Sequence, residues 1–306
     1  MVGTLGGPVG AGGLVGPVKV LVTGAGGALG IDLVDAFERS SSYEVVGATR
    51  ARLDVGERDA VAAAVSALSP AIVVHCAAWT EVDACEGDPD RAWRVNALGC
   101  RHVAEAAASV GAHLVHLSTD YVFDGTLDRP YHEWDAPNPR SVYGASKLAG
   151  EREVVGRCPG AAVVRTSWVC GTHGANVVKT ILRQVAQGET LRFVDDQRGC
   201  PTFTSDLAGA VVGLAVGRRP GLFHVTNQGA TTWYRFARDV VAAAGRDPDT
   251  VRPVTTAQLD PPRRAPRPAN SVLDNAALRL SGLPLLADHR EPLERTVRAL
   301  VEADRA

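Results

Sequence analysis

Tyr143 and Lys147 stand four residues apart in the run Tyr143-Gly144-Ala145-Ser146-Lys147. That spacing puts both side chains on one face of a helix. Upstream, an apolar run ends in Ser118-Thr119-Asp120. A phenol, an ammonium and a hydroxyl together suit acid–base chemistry at a carbonyl or an alcohol. In that reading Tyr143 gives or takes the proton, Lys147 lowers its pKa, and Thr119 holds the oxygen. A free tyrosine titrates near ~10, so it needs a cation beside it to carry protons at neutral pH. A Tyr-x-x-x-Lys pair alone occurs on many amphipathic helices and gains meaning only from context.

The elements that must position these residues begin near the N-terminus. Val18-Lys19-Val20-Leu21-Val22-Thr23 is short, β-branched and nearly all apolar, the pattern of a buried parallel strand. It runs into Gly24-Ala25-Gly26-Gly27-Ala28-Leu29-Gly30, then an amphipathic helix to about Arg39. Gly24, Gly27 and Gly30 let the backbone turn tightly and approach a pyrophosphate. Ala28 and Leu29 open a helix whose free N–H groups favour an anion. A glycine loop between strand and helix is where a dinucleotide fingerprint belongs.

The end of the second strand bears on cofactor type. An acid there binds a ribose 2′-hydroxyl, whereas an arginine suits a 2′-phosphate. The chain reads Gly47-Ala48-Thr49-Arg50, with Asp54-Val55 following as neighbours for the adenine. Arg50 points to NADPH, with NADH left open. Ala77-Ala78-Trp79 ends another strand, near where the cofactor phosphates and ribose would lie. Trp79 reads equally well as core.

Apolar runs recur at residues 44–48, 71–75, 112–117 and 161–166, with helical patterns at 57–68, 89–110 and 141–155 between them. Asp88-Pro89 makes an N-cap and first-turn pair. This alternation gives right-handed βαβ units and an α/β fold, a Rossmann-type doubly wound parallel sheet. Further helices are expected at 177–187, 205–216, 232–244 and 290–302, while the Pro/Arg-rich run 261–268 is not helical. They imply a smaller C-terminal α/β lobe, with the ligand in the cleft between lobes. The expected organisation is a flexible, glycine-dense leader over residues 1–17, a dinucleotide domain over 18–170 that regains a segment from about 205–225, and a substrate lobe over 171–306.

The chain has 306 residues, 32 Lys plus Arg and 34 Asp plus Glu, a near-neutral balance that argues against nucleic acid or an acidic membrane surface as partner. No apolar run is long enough to span a bilayer as a helix. Six cysteines, at 76, 85, 100, 158, 170 and 200, form no Cys-x-x-Cys pair and no His-Cys cluster with metal spacing. No metal is expected, and a reducing cytoplasm is the simplest setting. Oligomeric state is not legible, and a homodimer stays open.

Several blocks then carry a resemblance. These are Val22-Thr23-Gly24-Ala25-Gly26-Gly27, Cys76-Ala77-Ala78-Trp79-Thr80 and the run from Ser118 to Gly125. Arg165-Thr166-Ser167-Trp168, Asp196-Gln197-Arg198-Gly199 with Pro201-Thr202, and Arg267-Pro268-Ala269-Asn270-Ser271 extend it. Over about residues 18–300 the chain resembles the dTDP-4-dehydrorhamnose reductase family of extended short-chain dehydrogenase/reductases. The resemblance implies reduction of a dTDP-4-keto-6-deoxysugar, the last step to dTDP-L-rhamnose. It implies Tyr143 as proton donor, Lys147 as its partner and as a ligand of the nicotinamide ribose, and Thr119 and Asp120 beside the sugar. Trp168, Asn176 and Arg267 fall in segments that line the nucleotide-sugar side.

Ala28, Cys170, Val177 and Cys200 depart from the usual family pattern. They leave the catalytic three intact and bear on substrate identity. Alternatives are a related dTDP-deoxysugar 4-ketoreductase such as one forming dihydrostreptose, a nucleotide-sugar epimerase or dehydratase that retains NAD, and a non-catalytic regulatory subunit of the same fold. The intact Thr119, Tyr143 and Lys147 set favours an enzyme.

Overall fold

Four short apolar runs, at residues 18–23, 72–75, 113–119 and 162–166, bury most of their side chains on both faces, and only a sheet covered on both sides accommodates that. The computed structural model describes residues 16–304, so residues 1–15 of the expected leader lie outside the described residues. In chain order the first half comprises β1 (Val18–Thr23), α1 (Ala28–Glu38), β2 (Tyr43–Ala48), α2 (Arg58–Leu68), β3 (Ile72–His75), α3 (Val82–Gly87), α4 (Pro89–Trp93), α5 (Gly99–Ser109), β4 (His113–Thr119), α6 (Val142–Arg157) and β5 (Ala162–Thr166). There follow β6 (Val169–Cys170), α7 (Val177–Ala186), β7 (Leu191–Val194), β8 (Arg198–Gly199), β9 (Thr202–Phe203), α8 (Thr204–Val216), β10 (Gly221–His224), β11 (Thr231–Thr232), α9 (Trp233–Ala243), β12 (Val251–Val254), α10 (Ala276–Leu280) and α11 (Arg290–Ala303).

The main sheet has six parallel strands in the order β10-β5-β4-β3-β1-β2. The chain moves one way from β1 to β2 and the other way from β1 to β3. The crevice beyond the strand ends at such a reversal is where open α/β sheets bind ligands. One face of the sheet packs Val20, Val22, Val74 and Val115 against Leu33 and Phe37 of α1 and Leu207 and Val211 of α8. The other packs Leu21, Val73 and Leu114 against Val61 and Val65 of α2 and Val103 and Ala107 of α5. Residues 204–224 return from the later part of the chain to this sheet, as α8 and as its edge strand β10.

Three two-stranded sheets, β11-β8, β12-β7 and β6-β9, lie in the C-terminal part. Ile181, Phe203, Phe236, Val240, Leu293 and Val297 form a separate core there.

The run 89–110, read as one helix, is interrupted. Asp88 caps α4 by accepting from the Arg91 N–H, as expected of Asp-Pro. Arg94–Leu98 is then a π-helical turn before α5. Such turns are rare and collect at functional sites. Here the turn carries Asn96, fully buried, whose amide bridges the backbone of Trp79.

Candidate active site

The glycine loop meets the loop after β3 at the reversal point. Gly24 has φ +72°, and a Cβ there would lie 2.6 Å from the Ala77 nitrogen. A Cβ on Gly30 would lie 2.3 Å from the Gly24 carbonyl oxygen. Both positions therefore exclude a side chain, and the backbone is left as a bare cradle at the start of α1. That cradle fits a dinucleotide pyrophosphate.

The cradle opens into a pocket of about 820 Å³. Gly24, Gly27, Ala28, Leu29, Gly30, Arg50, Asp54, Val55, Ala77, Ala78 and Trp79 line it. Thr119, Asp120, Tyr143, Lys147 and Trp168 line the same pocket. The structure thus brings together every residue expected at the cofactor, all three expected catalytic residues and three of the five expected on the substrate side, Thr119, Asp120 and Trp168.

Asn176 and Arg267 do not line it. Asn176 caps α7, accepting from the Lys179 N–H and donating to the Gly171 carbonyl at 2.8 Å. Arg267 is committed to a bidentate pair with Asp83, at 2.7 Å on both sides. Hydrogen bonding to Arg267 holds the Asp83 carboxyl down at about 2. These two side chains fasten their segments and do not face the pocket. Charge and polarity alone cannot separate a ligand contact from an internal partner.

Tyr143 is 8 % exposed at the N-terminal end of α6, where Ser141 caps the helix by accepting from the Gly144 N–H. Burial pushes the phenol above its ordinary value, and Thr119 hydrogen bonding is the largest opposing influence. Burial is thus the dominant influence on the phenol. The spacing gave the helix face correctly, but it could not register the desolvation. The Lys147 ammonium is buried and donates to the Leu117 carbonyl at 2.6 Å. Burial pushes Lys147 down from its usual range. Tyr143 is therefore protonated at neutral pH, the form that donates.

Thr119 donates to Asp120 Oδ1 at 3.0 Å and accepts from the Tyr121 N–H at 3.2 Å. Asp120 Oδ2 is buried with no partner. Burial raises the Asp120 carboxyl to about 7, against the opposing influence of the nearby Ser271 and Thr119 hydroxyls.

Several contributors escaped the sequence reading. Asn96 accepts from the Trp79 N–H at 2.8 Å and donates to the Trp79 carbonyl at 3.1 Å and to Ser146 Oγ at 3.1 Å. Ser146 in turn donates to the Tyr143 carbonyl. One amide thus ties the β3 loop to α6. A polar residue amid the apolar positions of the run 89–110 was the available signal. Trp233, from α9, also lines the pocket. Beneath the site, His75, Cys100 and His116 gather from β3, α5 and β4, with Cys100 Sγ 3.5 Å from His75 Nε2. No linear spacing foretells that cluster. Burial, then the Lys147 charge, pushes both histidines below their usual range, so both are neutral.

A family model described as "RmlD substrate binding domain" matches residues 18–302. The chain belongs to the dTDP-4-dehydrorhamnose reductase family. It is 43 % identical over 286 residues to a dTDP-4-dehydrorhamnose reductase of Streptomyces griseus, covering 92 % of this chain and 93 % of that protein. It is 42 % identical to a dTDP-4-keto-6-deoxy-D-glucose reductase of Streptomyces niveus, over 86 % of this chain and 91 % of that one. Among solved structures, the dTDP-4-dehydrorhamnose reductase of Bacillus anthracis in complex with NADP superposes with a TM-score of 0.89 at 37 % identity. That alignment covers 92 % of this chain and 99 % of the other.

Proposed function

We propose that the chain uses NADPH to reduce the 4-keto group of a dTDP-4-keto-6-deoxyhexose, the sugar being the one that yields dTDP-L-rhamnose. The observation that carries this reading is that Thr119, Tyr143 and Lys147 share one pocket with the bare glycine cradle. The names of the family relatives supply the sugar class.

NADPH, when bound on the cradle, supplies the hydride for the carbonyl carbon. Tyr143, kept protonated by burial, gives its proton to the carbonyl oxygen as that oxygen gains negative charge. Thr119 holds the same oxygen, and Lys147 carries the fixed positive charge beside the reaction. The ketone becomes an alcohol, and the phenolate is reprotonated from solvent before the next turnover. Asp120 and Trp168 contact the sugar. Remote binding of the nucleotide orients it. Arg50, with 68 % of its side chain exposed and 3.9 Å from Asp54, is free to turn onto a 2′-phosphate. Free cysteines at all six positions support a cytoplasmic setting.

Steady-state NADPH oxidation with the dTDP-sugar, the UDP-sugar and the free 4-keto sugar tests the substrate class. The dTDP-sugar should react fastest, and equal efficiency with the free sugar would contradict the reading. Replacing Arg50 with Ala should lower kcat/KM for NADPH roughly tenfold and leave NADH little changed, the low end for a lost charge-assisted contact at an exposed site.

A further inference from the structure

Arg91, at the middle of α4, places its guanidinium carbon 4.1 Å from the centre of the Trp79 ring. Both residues line the pocket. Arginines close by in sequence or space are neutralised: Arg94 by Asp54 and Glu57, Arg101 by Glu153, Arg267 by Asp83. Among the described residues, Arg91 joins no ion pair, and its side chain donates no hydrogen bond. Its Nε and the adjoining Trp79 Nε1 are both shielded from water and unpartnered.

Of the other cations of the pocket wall, Lys147 donates to the Leu117 carbonyl, and Arg50 stands largely exposed near Asp54, at the ribose end of the cofactor cradle. Arg91 is therefore an uncommitted cation of the wall on the side of Trp79 and Tyr143. Leaving shielded donors unsatisfied is unfavourable, and an arriving acceptor relieves it. Its place over the indole also restrains the guanidinium in advance, so less freedom is lost when its fork engages an anion. The backbone under the indole is itself held, because Asn96 grips the Trp79 N–H and carbonyl. Trp79 further packs in one cluster with Tyr143, Cys85 and Ala92. The anion site so formed sits beside the catalytic tyrosine.

We propose that Arg91, held over the Trp79 ring, binds a phosphate oxyanion of a nucleotide diphosphate seated in this pocket. The inference rests on the reading of the pocket as a nucleotide site. The phosphate belongs to one of two nucleotides, the sugar donor or the dinucleotide cofactor, and one experiment separates them.

Isothermal titration of NADP+, dTDP and thymidine into the wild type, Arg91→Ala and Arg91→Lys is that experiment, with melting curves to confirm folding. Arg91→Ala should weaken either dTDP or NADP+ roughly ten- to hundredfold, as expected for a lost charge-assisted contact. Thymidine, which has no phosphate, should bind all three proteins alike. Arg91→Lys should recover part of the loss, because it restores the charge without the planar fork. The difference between wild type and Arg91→Ala should shrink as salt rises. A loss confined to dTDP assigns the contact to the sugar nucleotide, and a loss confined to NADP+ assigns it to the cofactor. If Arg91→Ala bound both diphosphates as the wild type does, or lost thymidine equally, the inference would be overturned. A wild type that bound neither diphosphate would instead contradict the nucleotide-sugar reading beneath it.

Discussion

The Trp168 indole lies flat on that of Trp233, ring centres 3.6 Å apart and planes 9° from parallel. Trp168 reaches this position with φ +47°, a conformation costly for a residue with a Cβ. Gly199 leaves room for it, since a Cβ there would come within 2.4 Å of the Trp168 ring. A strained backbone, a missing side chain and a stacked partner all fix one indole on the pocket wall.

Replacing Trp233 with Leu should therefore release Trp168. Stacked aromatic pairs contribute about 0.5–1.5 kcal/mol, so KM for the dTDP-sugar should rise roughly two- to tenfold. KM for NADPH should stay where it is. The coupled-indole signal in far-UV circular dichroism should vanish. An unchanged sugar KM would show that the pair is only packing.

Asp120 gives stability a pH dependence of known sign. Its folded-state carboxyl is raised to about 7 by burial, whereas the unfolded chain releases that proton near the ordinary aspartate value of 3.8. Between those values the folded protein holds more protons, so this contribution to stability is full at acid pH and is lost as pH rises through about 7. Asp120→Asn removes the titration. The melting temperature of the variant, relative to wild type, should be higher at pH ~8 than at pH ~5. A difference that is the same at both pH values would contradict the burial argument.

Below the site, Arg165 and Glu151 form a bidentate pair at 2.9 and 2.7 Å, with side chains 3 % and 7 % exposed. Ser118 donates to the same carboxylate, which ties α6 to β4 and β5 one residue before Thr119. Glu151→Ala would leave a buried guanidinium without its partner. Breaking such a pair costs about 3–5 kcal/mol. Urea denaturation should show a loss of that order, and a loss below ~1 kcal/mol would mean that water reaches Arg165 in the variant.

Local pattern made the first half of the fold legible. β1, the glycine loop and α1 follow from a short apolar run, glycine spacing and a helical period, and the structure places them within a residue or two. The Tyr143–Lys147 face was equally legible, because helix spacing alone decides it. What escaped depends on distant partners. The π-helical turn at Arg94–Leu98 leaves no local mark, yet it accompanies the grip of Asn96 on Trp79. Nothing in the sequence singles out Trp233 until the fold sets it on Trp168. Arg267 looks the same in sequence whether a diphosphate or Asp83 neutralises it. The pKa direction of Tyr143 likewise depends on packing that no spacing encodes.

The central claim is hydride delivery to a sugar carbonyl with a proton from Tyr143. Its most direct test is turnover of the dTDP-4-keto-6-deoxyhexose with NADPH deuterated at the transferable position, followed by NMR and mass analysis of the sugar. Wild type should place one deuterium on C4 of the product alcohol. Tyr143→Phe should slow this by about 10²–10⁴-fold while still binding NADPH. A product without deuterium at C4, or a Phe variant that labels it at the wild-type rate, would contradict the account.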